Sequence, residues 1–160
     1  MKAAICALLG VWLAVGSVAA IDSPVDLTRQ ARSASKVVVA TVTNVESAFG
    51  QNEFGDRLIF SHVTLEVDET MKGTHEASAL VLIEGGTVGE MTLAVSDMPR
   101  MVKGDRAVFF LDASPGGAYL PHARGAGLLK LDSAGRIAGT SMSLDSVRSA
   151  ARAAQAVGRQ

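Results

Sequence analysis

The sequence predicts a mainly β domain: a small antiparallel sheet, a closed or partly open barrel, with a short helix at each end. Three observations carry this. Apolar segments rich in β-branched residues recur along the chain, several of them with period-two alternation. Short glycine-bearing turns join them. Helical spacing appears only near the two ends, so the strand–helix alternation that builds a parallel sheet is missing. Six or seven such strands with few aromatic residues close into a small barrel or fold as a sandwich.

The first segment is read as a leader and not as part of the fold. Met1-Lys2 supplies a positive start, Ala3 to Val15 is apolar, and Gly16-Ser17-Val18-Ala19-Ala20 places small residues before a cut after Ala20. This is the three-part pattern of a secretory signal peptide. The apolar run falls short of the roughly 20 residues that span a bilayer. Residues 1–20 are therefore expected to leave, with retention as an anchor the alternative, and the product is expected to be secreted or periplasmic. Removing 20 of the 160 residues leaves 140, one domain with its own core. Cys6 and Trp12, the only residues of their types, leave with the leader. The remainder forms no disulfide, and packing must hold it together. Loss of Lys2 moves the formal charge from −1 to −2. That balance offers no field for nucleic acid, and no second apolar stretch is long enough to cross a membrane.

The expected domain runs over residues 21–140. Asp26 to Ala34 reads as a short helix, with Asp22, Ser23 or Asp26 as its cap and Pro24 in its first turn. Lys36 to Val45, KVVVATVTNV, reads as a strand. A polar loop is expected over Phe49–Asp56. In Leu58 to Asp68, Ile59, Ser61, Val63, Leu65 and Val67 share one strand face; His62, Thr64 and Glu66 share the other. Met71 to Thr74 is a turn, and the continuous apolar run Ala79 to Ile83 suits a central strand. Met91 to Val95 alternates again. Lys103-Gly104-Asp105 turns into Arg106 to Leu111, RAVFFL, a buried strand. Gly127 to Leu131 and Arg136 to Ala138 flank Asp132-Ser133-Ala134-Gly135, which suits a hairpin with Gly135 left-handed. Residues 141–160 are expected as a last helix, capped by Ser141 or Ser143. Leu144, Val147, Ala151, Ala154 and Val157 form its stripe.

Several of these signatures, taken together, resemble a known family. Ser35 to Val42 follows a terminal helix, and a long strand ends in Val67-Asp68-Glu69-Thr70-Met71-Lys72-Gly73. Then come Gly85-Gly86-Thr87-Val88-Gly89 and Val102 to Leu111. The order resembles the netrin-like, TIMP-like variant of the OB-fold over about Leu27 to Ile137. It is also similar to cysteine-free modules of secreted bacterial proteins, some of which sit beside matrixin-type metalloprotease domains. The resemblance implies a five-stranded Greek-key barrel with additions. TIMP-type inhibitors chelate the protease zinc through an N-terminal cysteine. This chain, cut after Ala20, would begin at Ile21 and hold no cysteine, so that route does not carry over.

The chemistry-bearing residues form no recognisable catalytic motif. The stretch Leu82 to Met91, LIEGGTVGEM, suggests a phosphate cradle, but a cradle needs a helix N-terminus and usually a following lysine. Here alternation follows, so Gly85, Gly86 and Gly89 are read as the sharp connection between two strands, with Gly104 and Gly135 as further turn glycines. His62 and Glu66 lie four strand residues apart, ~13 Å, too far to share one metal ion. His75 and His122 sit in turns. No H-E-x-x-H and no G-x-S-x-G occurs. Arg148, Arg152 and Arg159 share one face of the last helix. The simpler reading is a solvated face; the sharper one is a contact with an acidic partner or an anionic lipid. Three arginines fall short of the roughly 4–8 basic residues of a lipid-binding cluster. The expected function is a non-catalytic binding module for a protein or peptide, with no cofactor and no metal. The alternatives are a regulator or inhibitor of a secreted protease, and an enzyme with a site scattered over several strands.

Overall fold

The structure is a computed structural model that describes residues 26–52 and 54–157. The expected leader, with Cys6 and Trp12, lies outside them, as do Ile21 and Arg159. Among the described residues eight strands and two α-helices follow one another: α1 (Leu27–Ser33), β1 (Lys36–Gln51), β2 (Arg57–Lys72), β3 (Ser78–Glu84), β4 (Gly86–Val88), β5 (Met91–Leu93), β6 (Arg106–Ala113), β7 (Tyr119–Pro121), β8 (Leu128–Lys130) and α2 (Leu144–Val157). A 3₁₀ turn, Arg124–Gly127, precedes β8. Asp26 caps α1 by accepting from the Arg29 amide, and Ser143 caps α2 through the Ser146 amide. Among the described residues no helix is long and apolar enough to cross a membrane.

Five strands form a hydrogen-bonded ring in the order β1, β2, β3, β7, β6 and back to β1. All of these pairings are antiparallel except β3 with β7, which is parallel and rests on one pair, Val81 with Tyr119. β8 joins the ring by pairing with β6. β1 changes register against β2 at three places between Val37 and Asn44. Such irregularities bend and twist a strand, which lets β1 curve between two neighbours.

The burial of β1 explains its composition. Val37 to Ala40 are all fully buried, because both faces of the strand are covered. Val38, Ala40 and Val42 point into the ring with Val63, Leu65, Val81, Phe109 and Leu111. Val37 and Val39 point outward with Val108 and Phe110, under a layer made by α1 and α2. Phe109 and Phe110, neighbours in sequence, thus belong to separate clusters. The alanines of α2 matter here: Ala150, Ala151 and Ala154 let it lie close against Leu27, Ala31 and Ala34. Lys72 completes this layer. Its ammonium donates to the carbonyls of Ala31, Arg32 and Ala34 at 2.5–2.8 Å, satisfying the last turn of α1.

Several expected boundaries are corrected. The loop over Phe49–Asp56 shrinks to the residues between Gln51 and Arg57, since β1 and β2 keep pairing to their ends. Cross-strand packing wins there over local polarity: the Phe60 ring covers Gly50, and the Arg57 guanidinium stacks 4.2 Å from the Phe49 ring centre. The expected turn at Met71 begins only after Lys72. Met91 to Val95 does not enter the ring; only Met91–Leu93 is strand, paired with Gly86–Val88 in a separate two-stranded hairpin. Arg136 to Ala138 makes isolated bridges and no strand. β7, which closes the ring, was not expected.

A buried lysine pins the weak side of the ring. The Lys36 side chain is 3% exposed and its ammonium lies 3.0 Å from Glu76. It also donates to the Thr74 carbonyl at 2.8 Å, and the Tyr119 hydroxyl donates to Glu76 at 3.0 Å. The cluster ties β1 to β7 and to the loop before β3. Hydrogen bonding from Lys36, then from Tyr119, holds the Glu76 carboxyl below its usual value of 4.5. A carboxyl depressed in the folded state contributes stability above its unfolded pKa and loses it as pH falls through the folded one. Thermal midpoints are therefore expected to hold between about pH 5 and 7 and to fall below about pH 4.5, where Asp97 and Asp132 also titrate from depressed values. Glu76→Gln should lower the midpoint at pH 7 and make the acid limb shallower. An acid limb of unchanged slope in that variant would remove Glu76 from its causes.

Candidate functional site

One end of the ring opens into a cleft of about 510 Å³. Its floor is the ring core itself: Val63, Ile83 and Met101, each nearly fully buried. One wall comes from β1 and β2, through Val45, Ser47 and Ser61. The opposite wall is the β4–β5 hairpin with Leu93 to Val95, and the segment Met98–Lys103 forms the remaining rim. Sites of this kind, apolar with a few polar groups, commonly occupy the mouths of β-barrels.

The glycine stretch builds the second wall. Gly85 still donates to the Ile59 carbonyl at 2.8 Å, the last bond of the β2–β3 ladder. Its φ of 107° and that of Gly86, 142°, then swing the chain out of the sheet. Few side chains tolerate that backbone. Gly86 also lies directly over the β1–β2 ribbon, where a Cβ would overlap the hydroxyls of Ser47 and Ser61. Ser61 donates to the Gly85 carbonyl at 2.7 Å. Its hydrogen is thereby used, so Ser47 is the donor in the 3.0 Å bond between the two hydroxyls. This chain of bonds explains a serine on the otherwise apolar face of β2. Val88 and Met91 then pair across a two-residue turn at Gly89-Glu90, and Thr87 bonds Thr92 at 2.9 Å. The stretch Leu82 to Met91 is thus more than the expected sharp connection: it carries a hairpin of its own and walls the cleft. Gly104 and Gly135 sit in turns with φ of 92° and 74°.

A second device fixes the rim. Ala123 and Arg124 both adopt left-handed backbone, φ 53° and 58°, a conformation that costs non-glycine residues energy and clusters at functional segments. Gly125 makes it possible, because any Cβ there would overlap the Asp97 carbonyl. The result aims the Arg124 guanidinium at Glu84 on the cleft (3.1 Å) and at both oxygens of Asp97 (2.5 and 3.1 Å). Hydrogen bonding from Arg124 holds Asp97 below its usual value, and the two carboxylates raise Arg124.

The remaining sequence candidates do not meet here. Arg148 is spoken for: its guanidinium grips Glu69 on β2 at 2.8–3.1 Å and Asp145 at 2.8 Å. It fastens α2 to the ring, and those two carboxylates raise its pKa, Glu69 foremost. Arg152 is exposed and bonds the Arg148 carbonyl. His75 lies 3.3 Å from the Thr70 hydroxyl, and His122 lies 2.8 Å from Asp112. Among the described residues no three His, Cys, Asp or Glu side chains converge as metal ligands would. Sequence reasoning missed the cleft, since its lining comes from five separate segments. The one signal present was Ser61 among apolar neighbours. No protein-family model matches the chain. No curated protein matches it either.

Proposed function

We propose that the chain is an exported, non-catalytic binding module whose cleft takes part of a protein or peptide. The observation that carries this is the cleft itself, with a floor continuous with the core and walls held by glycine geometry. Such a site is preformed, so a ligand entering it loses little free energy to ordering the protein. The fold reading that goes with it is OB-like: five strands in the ring order β1-β2-β3-β7-β6, with β3 and β7 parallel, suit a partly open Greek-key barrel. Export rests on the leader pattern of residues 1–20. The resemblance to netrin-like and TIMP-like modules keeps protease regulation as the second reading, and unchanged peptide cleavage by secreted metalloproteases at excess protein would remove it.

The test is affinity capture from the envelope or medium, run in parallel with Ala94→Trp. Ala94 is exposed and lines the cleft, so an indole there fills the opening without touching the core. A partner retained by the wild type and lost by the variant is the expected result. Equal recovery by both, or recovery by neither, overturns the cleft as the binding site.

A further inference from the structure

We infer that the cleft selects an extended peptide whose apolar side chain is flanked by carboxylates, a step that rests on the cleft being the binding site. The charge of the opening points to the carboxylates. Of the acids, Glu84 lines the cleft and pairs with Arg124 at 3.1 Å, a cation that it shares with Asp97 outside the lining. Arg100 and Lys103 also line the cleft, are exposed, and make no ion pair among the described residues. Glu46 and Glu90 lie outside its lining. The lining therefore carries two cations, Arg100 and Lys103, against the one carboxylate of Glu84, beside apolar side chains. That arrangement suits a ligand with an apolar body and anionic ends.

The backbone points to a peptide. β1 pairs with β6 only from Lys36 to Thr41. One residue further, Val42 exchanges bonds with the segment carrying Lys103: its amide donates to Asp105, and its carbonyl accepts from Gly104, both at 2.8 Å. From Asn44 to Gln51 no strand among the described residues pairs with that edge, although β2 holds the other. Asn44, Val45 and Ser47 of this open edge line the cleft. An exposed edge beside a pocket is the arrangement used for strand addition. Main-chain bonds supply affinity there, and a pocket for one side chain supplies selectivity. A peptide laid along Asn44–Ser47 would drop one side chain among the half-buried Val45, Leu93, Val95 and Met98 and bring its neighbours to Arg100 and Lys103.

The experiment uses three fluorescein-labelled peptides with a central Val-Leu-Val, flanked on each side by two Asp, two Asn or two Lys residues. Anisotropy against the purified chain is expected to show the Asp peptide binding at least tenfold tighter than the Asn peptide, and the Lys peptide weakest. The advantage should shrink at high salt, because the charges are exposed. The Arg100→Glu, Lys103→Glu double variant should reverse the order while melting with the wild type. Amide shifts at Asn44–Ser47 should accompany binding. Equal affinity for all three peptides, abolished by Ala94→Trp, would overturn carboxylate selection and leave the cleft as a binding site. Shifts confined to other surfaces, or no peptide binding while the captured partner still depends on the cleft, would overturn the inference alone.

Discussion

Phe109→Ala is expected to destabilise the domain by about 3–5 kcal/mol, the range for losing a fully buried aromatic side chain from a packed core. Phe109 is completely buried inside the ring, between strands that must close around it. Typical domains are stable by only about 5–15 kcal/mol, so this is a large share of the whole. Phe110→Ala removes the same number of atoms from an equally buried site. Its void, however, opens beneath α1 and α2, on the opposite face of β6. The two variants should therefore lose similar stability and differ in where they loosen. Amide exchange should quicken first in α1 and α2 for Phe110→Ala, and in β2 and β3 for Phe109→Ala. Identical exchange patterns in both variants would mean that the two clusters behave as one core.

Gly86→Val should cost about 3 kcal/mol. Strained backbone contributes about 1–3 kcal/mol, and loss of the Ser61–Gly85 hydrogen bond about 1 kcal/mol. The corresponding fall in melting temperature is about 10 °C for a domain of this size. Two separate obstacles act here. A β-branched residue resists a φ of 142°, and its Cβ overlaps the hydroxyls of Ser47 and Ser61. The hairpin must lift off the ribbon, and the cleft then loses a wall, so ligand binding should fall along with stability. Gly89→Val is the control. Gly89 also has positive φ, but nothing lies within 4 Å of a Cβ there. It should cost about 1 kcal/mol and leave binding intact. A Gly86→Val protein that melted with the wild type would refute the packing account of this glycine.

The mainly β class, the terminal helices and most strands were legible because they rest on local periodicity. Ile59, Ser61, Val63 and Leu65 alternate in sequence and are buried as that alternation requires. The runs KVVVA and AVFFL read as buried strands for a related reason: continuous apolar character means both faces are covered. What covers the second face was not legible. The alanines of α2 each bury little area, yet their small side chains permit the close approach that α1 needs.

The cleft was illegible for a different reason. Its residues sit from Asn44 to Lys103 with no fixed spacing, since the walls meet only when the ring closes. Lys36 opens a β-branched run like any strand-leading lysine, and nothing local shows that its ammonium is buried against Glu76 and Tyr119. Tyr119–Pro121 is three residues long, too short to carry a period, yet it closes the ring. By itself, then, the sequence determined the identity of the longer strands, the turn positions of Gly104 and Gly135, and the leader pattern at its start. These depend on φ preferences and on which face of an element is apolar, and each is settled within a few residues. Only the tertiary structure decided that Leu82 to Met91 forms a wall and that Arg148 is an internal clamp. It also left Arg100 and Lys103 on the cleft without an ion-pair partner among the described residues. Pairing and burial depend on what distant segments bring to the same place, and no local pattern encodes that.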